Sequence, residues 1–296
     1  MEWPLQKEGV KLKLLVSVNK KELSEYLEFT DSFIIGLKDF SVNYFEVSLE
    51  EIEELLRKYS NINLFIAINK NIFNNDLNNL EENLIKLEKL NIKGIMFYDL
   101  SVLSIVKRLK LNLDLVYHQS HMVTNYNIIN FYEKEGVKYA YLSTEITEDE
   151  MSEISSKTNI PIIAMFIGHI IISHSKRKLV SNYYQHINRN NNHKINTINE
   201  KNKDKKYIIL ETSEGTNILT NDILNGTKAF INLKEKIEYG VLDNNLIDDE
   251  MFLNILKLYK NNLDNTITDK ELIDSTKDLI GNYDGFFYTK TIYKVK

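Results

Sequence analysis

Short apolar runs alternate with amphipathic stretches along this chain, in units of roughly 25 to 35 residues. Leu12–Val18 (LKLLVSV), Ser32–Gly36 (SFIIG), Asn63–Asn69 (NLFIAIN), Lys93–Asp99 (KGIMFYD), Asp114–His118 (DLVYH) and Lys138–Ser143 (KYAYLS) each read as a strand. They are short, and they are rich in β-branched and aromatic residues. The seventh run, Ile162–Ile167 behind Pro161, is apolar at every position, the pattern of a strand buried on both faces of a parallel sheet. Helical spacing fills the gaps between strands. Asn19 reads as the cap of a first helix, with Glu22 at its third position and Leu23, Tyr26 and Leu27 on its apolar face. Ser48 with Glu51 forms a capping box ahead of Ile52, Leu55 and Leu56, and Thr147 with Glu150 forms another. From about Asp76, Leu77, Leu80, Leu84 and Leu87 recur at helical spacing, as do Leu100, Leu103, Val106 and Leu109, while Asn125 caps a fifth helix.

Seven strand-then-helix units predict an α/β fold, a TIM-like (β/α) barrel. The competing plan is an open doubly wound sheet. After the first strand, however, the chain reads SVNKKE, without the glycine-rich phosphate loop of dinucleotide-binding sheets. Regularity breaks after Tyr184. Residues 186–206 are asparagine-rich, carry six Lys or Arg against two acidic residues, and read as a basic low-complexity loop without regular structure. Tyr207–Leu210 and Asn217–Thr220 bracket Ser213-Glu214-Gly215-Thr216 as a β-hairpin, and Asp222–Glu238 reads as partly helical. Val241–Ile247 supplies an eighth strand, made poor by Asp243, Asn244 and Asn245. A helix from Asp249 carries Phe252, Ile255, Leu256 and Tyr259, and a short helix near Asp269 leads to the aromatic tail GFFYTKTIYKVK, which must pack on something. The expectation is one barrel-like domain over residues 1–296, irregular in its last units, with 264–296 as a carboxyl-terminal extension.

Composition narrows the chemistry. With 43% hydrophobic residues in 296, the chain can fill a large core. It has no cysteine, which excludes disulfides, a cysteine-held metal cluster and a thiol nucleophile. No apolar run reaches the ~18 residues of a membrane span, and the amino terminus lacks the order of a signal peptide, so the expectation is a cytoplasmic protein with no membrane contact. A formal net charge of -5 argues against a protein that coats nucleic acid, yet leaves room for local basic patches.

The densest polar chemistry follows the seventh strand. Gly168 permits a sharp exit, and His169, Ser173, His174, Ser175, Lys176, Arg177, Lys178, Ser181 and Asn182 follow it, at the end of a strand where barrel enzymes build their sites. Arg177 can grip a carboxylate or phosphate with two prongs, expected at the mouth within reach of Glu145, whereas Lys176 and Lys178 act as point charges suited to an RNA backbone. A solvated charge run is the other reading. Asn69, Asp99 and His118 end the third, fourth and fifth strands, either directed into the mouth or fixing loops. Glu145, after the sixth strand, is the candidate catalytic carboxylate, or else the start of the next helix. His169, Ser175 and Asn182 complete the candidate binding set. Pairing His118 with His121, or His169 with His174, beside Glu145 or Asp99 does not give a recognised ligand spacing, and no metal is expected. Neither a nucleophile elbow nor an HExxH motif is present, so the serines offer little support for peptide hydrolysis.

Several segments together resemble the collagenase-like peptidase family U32, in particular its short bacterial members linked to tRNA uridine hydroxylation. They are the Asn69 strand end with Phe73-Asn74-Asn75-Asp76, then Thr124-Asn125-Tyr126, Leu142–Ile146 (LSTEI), Gly168 with Ser175-Lys176-Arg177, and Leu179–Tyr184 (LVSNYY). At the carboxyl end Gly285-Phe286-Phe287 and Tyr293-Lys294-Val295-Lys296 add to them. The resemblance implies a barrel core and a part in prephenate-dependent 5-hydroxylation of the tRNA wobble uridine, with tRNA and a longer paralogue as partners and prephenate as cosubstrate. It also marks departures. Ile171 and Lys178 stand where relatives carry cysteines, Asn43 and Thr144 where they carry arginines, and Asn245-Leu246-Ile247-Asp248 replaces a basic-acidic-glycine motif. These losses imply an accessory or diverged subunit. A collagenase-like peptidase and a noncatalytic scaffold for the longer paralogue are the alternatives.

Overall fold

A parallel ladder that closes on itself organises the computed structural model, which describes residues 11–191, 193, 195–199, 201 and 205–290. In chain order the barrel units are β1 (Lys13–Ser17), β2 (Ser32–Leu37), a two-residue β3 (Glu46–Val47), α1 (Leu49–Lys58), β4 (Asn63–Ile68), α2 (Leu77–Leu87), β5 (Gly94–Phe97) and α3 (Leu100–Leu109). Then come β6 (Leu115–Tyr117), α4 (Tyr126–Lys134), β7 (Tyr139–Tyr141), α5 (Glu148–Ser156) and β8 (Ile162–Gly168). An inserted unit follows, with β9 (Ile171–Ser175), α6 (Leu179–His186), β10 (Ile195–Asn199), β11 (Lys206–Thr212) and β12 (Gly215–Thr220). The chain ends on β13 (Leu224–Asn225), α7 (Thr227–Asn232), β14 (Tyr239–Asp243), α8 (Asp249–Leu263) and α9 (Asp269–Ile280).

Strand order runs β1, β14, β8, β7, β6, β5, β4, β2, and β2 pairs again with β1, so eight parallel strands form a closed barrel. The expected TIM-like fold is therefore present; its eighth strand forms earlier than expected, over Tyr239–Asp243 with Asn244–Ile247 outside it, and pairs on both sides, with β1 and β8. Phe65, Tyr139 and Tyr239 meet edge to face at centroid distances of 5.4 to 6.2 Å, although their strands β4, β7 and β14 are not neighbours. Contact between non-adjacent strands places these rings inside the barrel. Phe65 and the first residues of β7 and β14 plug its amino-terminal end, leaving the opposite mouth for a site.

Local signals set the helices that pack outside. The capping boxes at Ser48 with Glu51 and Thr147 with Glu150 both form, and Asn125 caps α4. Ile52 and Leu55 of α1, and Leu80, Leu84 and Leu87 of α2, are buried as their spacing predicts. Ile163, Met165 and Ile167 of β8 are buried too. The aromatic tail finds its support: Phe287 lies parallel to Phe166 of β8, centroids 5.9 Å apart. Residues 291–296, with the Tyr293-Lys294-Val295-Lys296 segment, lie outside the described residues.

Two expectations are corrected. No helix follows β1; residues 24–29 form turns, with Tyr26 N–H bonded to the Leu23 carbonyl and Phe29 N–H to that of Tyr26. The groups that were to start this helix are used elsewhere. Asn19 donates to Asp249, 2.9 Å away, and the Glu22 carboxylate takes the amide and hydroxyl of Ser24 and the hydroxyl of Tyr59. Leu23 and Tyr26 are nonetheless buried. Nor is 186–206 wholly irregular, because Ile195–Asn199 pairs antiparallel with β11 from Ile195↔Leu210 to Asn199↔Lys206. Residues 192, 194, 200 and 202–204 of that stretch lie outside the described residues. Among the described residues, no helix is long and apolar enough to cross a membrane.

Candidate functional site at the capped barrel mouth

The carboxyl ends of the barrel strands do not open freely to solvent, because the insertion between β8 and α7 folds back over them. Gly168 makes this possible. Its φ is +141°, and a side chain there would meet Asp243 Cβ at 2.8 Å. The chain then builds a four-stranded antiparallel sheet in the order β10, β11, β12, β9. Gly215, at φ +127°, starts β12 so close to β9 that a Cβ would lie 2.8 Å from the Lys176 Cα. On this sheet α6 is moored by Glu211, whose carboxylate accepts from Val180 N–H (2.8 Å), Ser181 N–H (3.1 Å) and the Ser181 hydroxyl. Those are the orphan amides of the helix start, where a carboxylate is also favoured by the helix dipole. The turn of the β11–β12 hairpin reaches the barrel loops, with Glu214 3.5 Å from Lys70 Nζ. Lys176 Nζ sits 3.7 Å over the exposed Phe73 ring, just beyond β4.

Under this cap lies a cavity of about 80 Å³. Ile170, Ile171 and Leu219 line it from the cap; Ser17, Asn43, Tyr44, Asn69, His118, Tyr141, Thr144, Met165 and Asp243 line it from the barrel. His118 directly follows β6 and stacks on Tyr141 of β7, with centroids 4.3 Å apart and planes 12° from parallel; Tyr44 meets the same imidazole edge-on at 6.3 Å. Burial pushes the His118 pKa down to about 4, so the ring is neutral at pH 7, and its Nδ1 is shielded from solvent with no hydrogen-bond partner among the described residues. His169, buried just past β8, is also held below its ordinary pKa by burial, against the pull of a bond to the Thr220 carbonyl. A carbonyl only accepts, so Nδ1 at 2.9 Å carries the proton and Nε2 of the neutral ring is left as an acceptor.

Asp243 is the carboxylate of this cavity. Burial raises its pKa to about 6, against the opposing effect of hydrogen bonds from the Ser17 side chain and the Asn245 amide, the latter 3.1 Å away. Sequence reasoning passed over it as a blemish in the eighth strand. With the strand expected to run on to Ile247, Asp243 fell in its middle; the structure ends β14 at Asp243, beside its register partner Ser17 on β1.

The residues singled out from sequence divide into separate places. His118, His121, Asn69 and His169 line the cavity. The Asn69 amide is committed to its neighbours: its oxygen accepts from Ser41 Oγ and Val42 N–H, both at 2.8 Å, and its nitrogen donates to Val42 O. It thereby holds the loop that presents Asn43 and Tyr44. Asp99 fixes loops instead of lining the cavity, accepting from Ser101 N–H at 2.9 Å and Ile72 N–H at 3.1 Å. Glu145 sits at the rim, 3.0 Å from His121 Nδ1, with both side chains more than two-fifths exposed. Among the described residues no ion pair joins Arg177 to Glu145, whose partner is His121. Arg177 is exposed on the cap, between the ends of β9 and α6, and Asn182 is exposed on α6. The Ser175 hydroxyl accepts from the Arg177 amide, and Lys178 is the residue before α6. Among the described residues, no group of three His, Cys, Asp or Glu side chains is placed to hold a metal ion. The cavity offers hydrogen bonding and proton exchange at Asp243, with the neutral imidazoles of His118 and His169 lining the same space. Asn43 and Thr144, the positions where the resemblance expects arginine, both line this cavity.

The profile of peptidase family U32 matches residues 21–288. The chain is 25% identical over 253 residues to tRNA hydroxylation protein P2 of Bacillus subtilis (strain 168), covering 78% of this chain and 81% of that protein. It is 26% identical over 157 residues to tRNA hydroxylation protein P1 of the same strain, covering 52% of this chain but 37% of that protein. The solved structure of the U32 peptidase Mk0906 superposes with a TM-score of 0.49 at 10% identity, over 82% of this chain and 96% of that one.

Proposed function

The chain belongs to peptidase family U32, and on that premise we propose that it takes part in hydroxylation of a tRNA uridine, at C5 of the wobble base. The observation that carries this reading is its similarity, over 81% of the relative's length, to a protein named for tRNA hydroxylation. The site is in keeping with it, since an acid titrating near neutrality beside neutral imidazoles suits proton handling on a small ring. The reading includes prephenate as cosubstrate, a cytoplasmic location and a longer paralogue as partner. A peptidase role finds less support. The Ser175 hydroxyl is engaged by the Arg177 amide, and His169 Nδ1 by the Thr220 carbonyl. The test is nucleoside analysis of tRNA from a deletion strain lacking any redundant enzyme. Loss of 5-hydroxyuridine-derived nucleosides, restored by the intact gene, is the expected result; unchanged levels end the proposal.

A further inference from the structure

The lining of the mouth cavity restricts what can enter it. Among the described residues, no lysine or arginine lines the cavity, and Asp243 is the one carboxylate that does. Two lysines of the surrounding loops and cap are engaged elsewhere. Lys70 approaches Glu214 at 3.5 Å and lies 5.3 Å from the centre of the Phe40 ring, while Lys176 covers Phe73. A carboxylate or phosphate entering the cavity would shed its hydration, meet no lysine or arginine of the lining and approach Asp243. A neutral ring with donors and acceptors fares differently. Asp243 can accept from a ring N–H, His118 Nδ1, without a partner among the described residues, can exchange a hydrogen bond with it, and Tyr44 supplies an aromatic contact.

Size sharpens the assignment. The cavity of about 80 Å³ is roughly half the ~150 Å³ that closes around a benzene ring, so a six-membered ring enters by one edge. We infer that the capped mouth receives the edge of an uncharged pyrimidine, a uracil base, and rejects anionic carboxylates. The choice of uracil among neutral rings rests on the hydroxylation reading above; the exclusion of anions rests on the lining alone. C5 lies on an edge of that ring, and the bases of a single-stranded RNA loop can be splayed out to reach a protein pocket. On this assignment prephenate, where it is used, is held by a site other than this cavity, such as one on a partner subunit.

The test uses the full chain with uridine, prephenate and butylamine as separate probes in saturation-transfer NMR, with affinities from titration. Transfer to the H5 and H6 protons of millimolar uridine, stronger than to its ribose, is expected, with none to prephenate. Thr144→Tyr, which fills the rim, is expected to abolish the uridine signal, and Asp243→Asn to weaken affinity about tenfold, with folding checked by circular dichroism. Displacement of uridine by prephenate, a preference for butylamine, full uridine binding by folded Thr144→Tyr, or no uridine transfer at all would each overturn the inference. The failures are separable. A deletion strain that loses 5-hydroxyuridine while the protein ignores free uridine sinks the cavity assignment alone.

Discussion

The imidazole of His118 lies flat on the ring of Tyr141, 4.3 Å between centroids, and this contact joins the ends of β6 and β7 beneath the cap. The enclosure has a measurable consequence. Burial brings the folded pKa to about 4, while an unfolded histidine titrates near ~6.5. Between those values the unfolded chain binds more protons, so stability is full above pH 6.5 and is lost as pH falls toward 4. His118→Phe keeps a ring on Tyr141 and removes the titration. Comparing urea unfolding at pH 7 and pH 5, the variant should lose about 2 kcal/mol less than the wild type. An identical pH dependence in both proteins would show that the ring is solvated in the folded state.

Asp243 acts with the opposite sign. Its folded pKa of about 6 lies above the ordinary value for aspartate, so the folded state binds the extra proton. The cost of burying its charge is present above pH 6 and is relieved as pH falls below it. Asp243→Asn should therefore stabilise the protein at pH 8 by roughly 2 to 3 kcal/mol more than it does at pH 4. A variant equally placed at both pH values would mean that Asp243 stays hydrated.

Glu211 holds α6 on the cap by accepting two helix-start amides. Replacing it with alanine should cost about 1 to 2 kcal/mol locally. Hydrogen exchange reads this directly: the amides of Val180 and Ser181 should exchange faster while those of β4 and β8 keep their protection. Unchanged exchange at the start of α6 would assign its position to packing alone.

Lys176 and Arg177 lie outside the cavity, so neither Lys176→Ala nor Arg177→Ala should alter uridine binding. Their expected effect is on tRNA. Each substitution should weaken tRNA binding and lower the salt slope by about one unit, without changing base preference. The loss should be larger for Lys176, whose ammonium is held over the exposed Phe73 ring in an arrangement that offers both charge and a stacking face. Titration with tRNA at two salt concentrations decides it; equal, negligible effects would identify the SHSKRK segment as a solvated turn.

Much of the barrel was legible in the chain because hydrophobic period and capping are relations between near neighbours. Leu80, Leu84 and Leu87, or Ser48 and Glu51, specify a helix within a few residues of one another, and IIAMFI can only be a buried strand in an α/β chain. The first helix failed because Asn19 and Glu22 found partners at Asp249 and Tyr59, which no local pattern reports. Residues 195–199 were misread for a related reason. Asparagine-rich INTIN has little intrinsic preference for a strand, but its backbone pairs with Lys206–Leu210 from outside the segment.

The site was decided still later in the hierarchy. His118 and His169 were visible as polar residues near or just past strand ends, and both reach the cavity. Arg177 was placed with them because it follows β8 closely in sequence, yet β9 carries it out onto the cap. Asp243 was discounted because it spoils an apolar run, although that position at a barrel mouth is where a polar side chain can be solvated and used. Sequence by itself determined most of the barrel strands, the helices from α1 to α5, and that eight such strands can close. Tertiary structure alone decided which strand ends face one another and what covers them, because ring closure and the fold-back of β9–β12 depend on contacts between residues far apart in the chain.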